Sequence, residues 1–333
     1  MKQLISTKRP ETAMDSRTVA EILRIASAID KDGFGEVAED LADTEVLGKM
    51  FHGASSRDGS VCELAASRLG LRLVDLSWAN VDMTESALLL EELSMASKAV
   101  DLLVTAFSSS ETFGDGRRLT TKFPESSAVP VISLHDDFYN WQSALSHLHG
   151  FQRELGDLKG KQVMIAWGFG SSFISPAIAH GLLVTSALLG AKVRVAFPPE
   201  FSLLNRVLKE TKEITKETGS TFEETTDFAD AFRDADAVFS LNWLRLDDFN
   251  HPERNTQYAR RYKDWYVTQD TLSRQCIFST EPPLQPNLTF NPDLLGDQRN
   301  ISSSWLVRRV HVLAATIVYV LRESRNGGIV SVL

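Results

Sequence analysis

Two series of strand-length apolar runs alternating with helical patterns lie on either side of Gly156-Asp157-Leu158-Lys159-Gly160-Lys161, and this alternation limits the fold more than any other feature. In the first series, residues 17–30 space their apolar side chains as a helix behind a Ser16 cap. Strands follow at 46–51, 100–107 and 128–134, with helices near 61–69 and 140–154. The second series has strands at 162–167, 193–197, 237–241 and 277–280. Its helices lie at 178–189 (ended by Gly190), 202–219 and 228–233, and an amphipathic helix at 304–324 closes the chain. Strand and helix alternating twice predict an α/β chain of two Rossmann-like domains with parallel sheets and right-handed crossovers. A chain of 333 residues is long enough for two such cores. Ligands of such sheets bind beyond the C-terminal strand ends, which selects the loops at 52–60, 106–118, 135–142, 167–176, 241–264 and 280–288.

The formal charge of −9 and the lack of a basic stripe argue against a nucleic-acid partner. The run Arg254, Arg260, Arg261, Lys263 is interleaved with Glu253 and Asp264 and reads as a solvated loop. Cys62 and Cys276 fall in no metal-ligand spacing, so buried reduced thiols and a cytoplasmic location are expected. Residues 1–16 hold no signal-peptide core, and no apolar run of about 20 residues points to a membrane span.

Residues 51–66 carry the chemistry most open to reading. Ser55, Ser56 and Arg57 would set hydroxyls, backbone N–H groups and a guanidinium at a helix N-terminus, which attracts phosphate. Asp58 then puts a carboxylate where that phosphate would sit. Two like charges about 4 Å apart repel by roughly 1 kcal/mol in water and about 4 kcal/mol at an intermediate dielectric. The alternative is that Asp58 is an ordinary helix cap.

Four stretches in order resemble the aspartate/ornithine carbamoyltransferase family. Residues 51–66 are similar to its F-x-x-P-S-T-R-T-R-x-S-F-E-x-A-A, and Asp157-Leu158-Lys159-Gly160-Lys161-Gln162-Val163 to its D-L-K-G-K-x-V. Ala235-Asp236-Ala237-Val238-Phe239 is similar to A-D-V-x-Y, and Arg309-Val310-His311-Val312 to R-L-H-V. The end of the 162–167 strand, the Ser-rich loop to Pro176 and the insertion at 246–266 resemble the knotted acetylornithine and succinylornithine branch. The resemblance implies a carbamoyl-phosphate domain over 1–145, joined by the C-terminal helix at 304–325, and an amino-acid domain over 146–303. It also implies a site between them, a homotrimer, and attack of an amine on the donor carbonyl without metal, cofactor or covalent intermediate.

Mapped residue by residue, the family's anion turn falls on Ser55, Ser56, Arg57, Asp58 and Gly59, so its second Arg is lost. Its Arg after the next strand falls near Ala106. Its H-P-x-Q falls on Tyr139-Asn140-Trp141-Gln142, so a Tyr replaces the polarising His. Its H-C-L-P falls on Thr280-Glu281-Pro282-Pro283, and the Arg beyond that loop is absent. Each lost donor at an oxyanion site typically costs about 3 kcal/mol, so carbamoyl phosphate is disfavoured as the donor.

The candidate catalytic residues are therefore Arg57, Gln142, Tyr139 and Glu281. The candidate substrate contacts are Ser55, Ser56, Asp58, Trp141, Trp167, Trp243 and Thr280. The expected function is a diverged transferase using an amino acid or amine, not a standard ornithine or aspartate carbamoyltransferase; the alternative is an inactive relative that binds a small molecule or serves as a structural partner. Recruitment of Glu281, Asp58 or Tyr139 as a general acid or base is a third reading. His147 and His149, two apart, make a poor metal pair. Only His135 stands at a strand end, and His311 reads as packed or superficial. Thr84-Glu85-Ser86 resembles the loop that a neighbouring subunit donates in the family.

Overall fold

A computed structural model describes residues 14–39, 41, 45–77, 86–109 and 112–325. They form two compact units, Met1–Ser146 with Leu306–Leu333, and His147–Trp305. The first unit contains α1 (Ser16–Asp32), α2 (Gly35–Ala38), β1 (Val46–His52), α3 (Ser56–Leu69), β2 (Arg72–Asp75) and α4 (Ser86–Ser97). After these come β3 (Leu102–Phe107), α5 (Asp115–Ser126), β4 (Val131–Asp136) and the start of α6 (Trp141–Leu155). Its four strands are parallel in the order β2-β1-β3-β4. Inner strand β3 and edge strand β4 are both buried along their whole length, and their mostly apolar runs make them legible in sequence. Edge strand β2 is largely exposed, has no such run, and escapes a hydrophobic reading, as do α4 and α5.

Local signals shift several boundaries. Asp15, one residue earlier than the expected Ser16, caps α1 by accepting the Thr18 N–H at 2.7 Å. Helix α3 starts at Ser56, five residues before the predicted Val61, because Ser55 and Asp58 form a reciprocal capping box. A register shift between Thr105 and Ala106 sets His135, rather than Leu134, opposite Ala106. Such a bulge re-aims side chains at a strand end. Met50, Leu103, Phe107 and Phe123 pack beneath, the two Phe rings edge-on at 6.4 Å.

The second unit contains β5 (Gln162–Trp167), α7 (Ala177–Leu188), β6 (Lys192–Ala196), α8 (Asn205–Glu217) and β7 (Phe222–Thr225). It continues with α9 (Phe228–Ala231), β8 (Ala237–Leu241), α10 (Pro252–Ala259) and β9 (Ile277–Ser279). Its strands are parallel in the order β7-β6-β5-β8-β9. Helix α7 is buried on every side and lacks polar faces, as a helix in a core must. Gly190, at φ 73°, supplies the left-handed residue after it.

The closing helix α11 (Trp305–Arg325) corrects one expectation: a stretch including it is long and apolar enough to cross a bilayer. Yet 78% of its most apolar 18-residue window is buried inside the protein, as in a core helix. Thr84 and Glu85 of the expected donated loop lie outside the described residues, and Ser86 begins α4.

Candidate functional site

In the first unit the family-like turn is intact as a helix start and rebuilt as an electrostatic site. Ser55, Ser56 and Arg57 are exposed, and Arg57 makes no ion pair among the described residues. Asp58 is buried. Its Oδ2 accepts the Ser55 N–H at 2.9 Å and the Ser55 hydroxyl at 2.5 Å. Its Oδ1 accepts Arg309 Nη2 at 2.7 Å. His135 Nε2 faces Oδ2 at 3.5 Å. Asp58 is thus both the cap and the anion of this turn, and its repulsion is answered by an internal cation. Burial alone would raise its carboxyl pKa. Hydrogen bonding and charge from His135, the Arg309 charge and the Ser55 hydroxyl outweigh that and hold it well below the usual carboxylate range.

Gln142, the one survivor of the family's H-P-x-Q turn, is committed to the same arginine. Its Nε2 donates to the Arg309 carbonyl at 2.6 Å, and its Oε1 accepts from Arg309 Nε. Tyr139 and Trp141 are buried and stacked on each other at 4.4 Å, with the Arg117 guanidinium 5.2 Å from the Tyr139 ring. They form interior packing where the sequence led us to expect ligand contacts. Arg117 in turn donates to Asp136 at 2.9 Å.

Asp137 collects the loop after β3. It accepts backbone N–H groups of Ser109 (2.7 Å), Gly114 (3.0 Å) and Gly116 (2.7 Å). Burial, with the Asp136 charge beside it, pushes its carboxyl up to about 6 against those three donors. Gly116 has no alternative here: a Cβ would lie 2.0 Å from the Phe107 carbonyl oxygen.

In the second unit the loop after β9 holds two of the expected residues. Thr280 is buried, with its hydroxyl donated to the Ser240 carbonyl at 2.7 Å and its N–H to Ser302 Oγ at 3.0 Å. Glu281 accepts from or donates to His147 Nε2 at 2.8 Å, and His147 Nδ1 lies 2.8 Å from Ser279 Oγ. His147, on α6, is fully buried and meets Phe239 edge-on at 4.6 Å. Trp167 and Trp243 are also fully buried. Their indole N–H groups donate to the Trp243 and Phe201 carbonyls at 2.9 and 2.8 Å, so both are core residues rather than an open wall.

Around the ends of β5 and β8 the backbone is crowded and two polar atoms are unused. A Cβ on Gly168 would lie 2.4 Å from Thr289, and one on Gly170 would lie 2.7 Å from Gln285. Gln285 braces the following loop, accepting from Ser171 N (2.8 Å) and Ser172 N (3.1 Å). Ser240 Oγ and Asn242 Oδ1 are buried without a hydrogen-bond partner among the described residues. Buried polar atoms left in this state call for an explanation, and a ligand contact is one. Among the described residues, no group of three or more His, Cys, Asp or Glu could hold a metal.

Asp58 and Glu281 stand out in the sequence, but their pairing with Arg309, His135 and His147 does not. His135, Ser108, His147 and Arg309 carry no local motif that marks them for these contacts. Their contacts join residues from 27 positions apart (Ser108 and His135) to 251 apart (Asp58 and Arg309), which only the tertiary fold brings together.

The profile of the aspartate/ornithine carbamoyltransferase Asp/Orn-binding domain matches residues 171–279. The N-acetylornithine carbamoyltransferase of Xylella fastidiosa is 26% identical over 198 residues, 58% of this chain and 59% of that relative. The match therefore spans about three fifths of its length. The ornithine carbamoyltransferase of Methanothermobacter thermautotrophicus is 24% identical over 279 residues, 84% of this chain and 85% of the relative. A crystal structure of N-acetyl-L-ornithine transcarbamylase complexed with acetylcitrulline superposes with a TM-score of 0.81 at 21% identity, covering 96% of this chain and 99% of the other. A mutant of that enzyme complexed with carbamyl phosphate and N-succinyl-L-norvaline gives 0.82 at 20%, with the same coverage. The fold is that of the carbamoyltransferases. The profile and the relatives make the chain similar to the aspartate/ornithine carbamoyltransferase family.

Proposed function

We propose that the chain is a diverged transferase of this family that uses an amino acid or amine as acceptor, and not a standard ornithine or aspartate carbamoyltransferase. Support for the acceptor comes from the Asp/Orn-binding profile over 171–279 and from the unpartnered Ser240 Oγ and Asn242 Oδ1 at the β8 end. The observation that carries the departure from the standard reaction is the Asp58–Arg309 pair at 2.7 Å. A cation neutralised by a buried carboxylate is unavailable to an incoming dianion, and Gln142 is tied to the same arginine. What remains for a phosphate is Arg57 with the Ser55 and Ser56 groups, a weak exposed set. Carbamoyl phosphate is accordingly a poor donor in this reading.

The test is radiolabelled carbamoyl transfer to ornithine-, acetylornithine- and aspartate-like amines, together with a panel of alternative acyl donors. Transfer from carbamoyl phosphate at rates typical of carbamoyltransferases would overturn the departure; no transfer from any donor would overturn the transferase. The buried Asp58–Arg309 pair also favours a second reading, an inactive relative, which any turnover by the purified protein removes. Assembly as a homotrimer belongs to the proposal, and a light-scattering mass of a monomer would contradict it. So does a cytoplasmic location, which suits two buried free cysteines whose thiols burial pushes up to about 12.

A further inference from the structure

Asp58, the carboxylate set in the anion turn, meets His135 and Ser108 in one line within the first unit. Ser108 directly follows β3, and its Oγ lies 2.9 Å from His135 Nδ1. On the other side of the ring, His135 Nε2 faces Asp58 Oδ2 at 3.5 Å. The bulge between Thr105 and Ala106 is what sets His135 at this level of the sheet. Ser108 is half-buried and reaches solvent, whereas Asp58 is enclosed and anchored by Ser55 and Arg309.

We propose that Ser108 is a nucleophile, with His135 as its general base and Asp58 as the residue that positions the imidazole, and that its substrate is an uncharged activated ester of a small acyl or carbamoyl group. This rests on the transferase reading and gives it a donor chemistry that does not need a phosphate cradle. With the ring proton on Nε2 directed at Asp58, Nδ1 is left to accept the Ser108 hydroxyl proton, the arrangement that activates a serine.

The step balances without any further reactant. Ser108 Oγ bonds to the ester carbonyl carbon as its proton passes to His135 Nδ1. The bond from that carbon to the leaving oxygen breaks, and the departing alcohol takes the proton from Nδ1. An acceptor amine then attacks the acyl carbon, its proton goes to His135 and on to Ser108 Oγ, and the amide leaves.

The neighbourhood suits an oxyanion. The Ser108 N–H donates to the His52 carbonyl at 2.9 Å, and a Cβ on Gly53 would lie 2.0 Å from the Ser108 carbonyl oxygen. The strand that leads into α3 therefore runs against Ser108. The first-turn N–H groups of α3, at Ser56 and Arg57, have no intrahelical acceptor and present the positive end of the helix. A small apolar recess is lined by Met50, His52, Leu93 and Phe107, the last of which directly precedes Ser108.

The same three side-chain types recur in the second unit as Ser279–His147–Glu281, but there the serine and histidine are wholly buried. That line serves as an internal control, since a hydrogen-bond pattern alone would make both serines reactive.

The full chain is to be treated with a fluorophosphonate and the adduct located by intact-mass and peptide-mass measurement. The expected result is one adduct at Ser108, none at Ser279, and none in Ser108→Ala. His135→Gln slows labelling at least a hundredfold while its melting point stays within a few degrees of the native protein's. Asp58→Asn lowers the limiting labelling rate about tenfold and leaves the half-saturating probe concentration unchanged, which a merely structural role would not produce. Absence of an adduct on the native protein, or an adduct that persists in Ser108→Ala, overturns the proposal. Labelling at Ser108 without acyl transfer to any amine upholds the nucleophile and defeats the transferase reading instead.

Discussion

In the first unit a histidine from β4 stands between Ser108 and Asp58, and in the second a histidine from α6 stands between Ser279 and Glu281. The serine–histidine distances are alike, 2.9 and 2.8 Å, but the histidine–carboxylate distances are 3.5 and 2.8 Å and the surroundings differ. His147 is fully buried against Phe239, so every polar atom it satisfies is one that water cannot reach. Ser108 keeps a solvent-facing side, and Asp58 is backed by Arg309. The difference shows that a bonded serine, histidine and carboxylate define a role only together with their access to water. The enclosed set holds the fold, and the accessible one can meet a substrate.

Substitution of the enclosed histidine should break the contrast most severely. His147→Ala leaves Glu281 and Ser279 buried without their partner, and is expected to cost about 3 kcal/mol or more in urea unfolding. His135→Gln, beside an accessible serine, should cost about 1 kcal/mol. Equal losses would erase the distinction.

Acid should act on the first unit through two carboxylates of opposite behaviour. The Asp58 carboxyl is held below its unfolded value, so its contribution to stability is full above about pH 4 and is lost as pH falls below that. Asp137 is pushed up to about 6, so the folded state binds the extra proton between about pH 4 and 6, and stability falls as pH rises through that window. The Asp137 effect should be on the order of 2 kcal/mol and vanish in Asp137→Asn, as read by chemical denaturation across pH. A stability that rises over the same window in the native protein would contradict the assignment.

The smallest effect belongs to the exposed part of the turn. Arg57→Ala should change the melting free energy by less than about 0.5 kcal/mol, because Arg57 makes no ion pair among the described residues. A larger loss would mean that the turn is held by more than Asp58 and Ser55.

The fold was legible where burial forces a pattern. Strands β5 and β8 and helix α7 are mostly apolar because they are almost wholly covered, and their runs are legible directly. Edge strand β2 needs no such run and gave no signal. Of the site, Asp58 was visible because its charge contradicts its neighbours, and Glu281 because it follows a strand. Their partners were invisible for a different reason: pairings such as Asp58–Arg309 and His147–Glu281 join elements 251 and 134 residues apart, and nothing in the local sequence records them. The aromatic residues Tyr139, Trp141, Trp167 and Trp243 stood near strand ends and suggested a ligand wall. Their burial shows that strand-end position does not separate packing from recognition.

The claim at the centre of this account is that Asp58 neutralises the first unit's anion turn from within. Thermal unfolding with rising carbamoyl phosphate, for the native chain and for Asp58→Thr, tests it most directly. A ligand at about 100 times its dissociation constant adds roughly 2.7 kcal/mol, a shift of a few degrees. The account predicts no shift in the native chain and a shift in Asp58→Thr, each against its own ligand-free midpoint. A clear shift in the native chain that Asp58→Thr does not enlarge would contradict it.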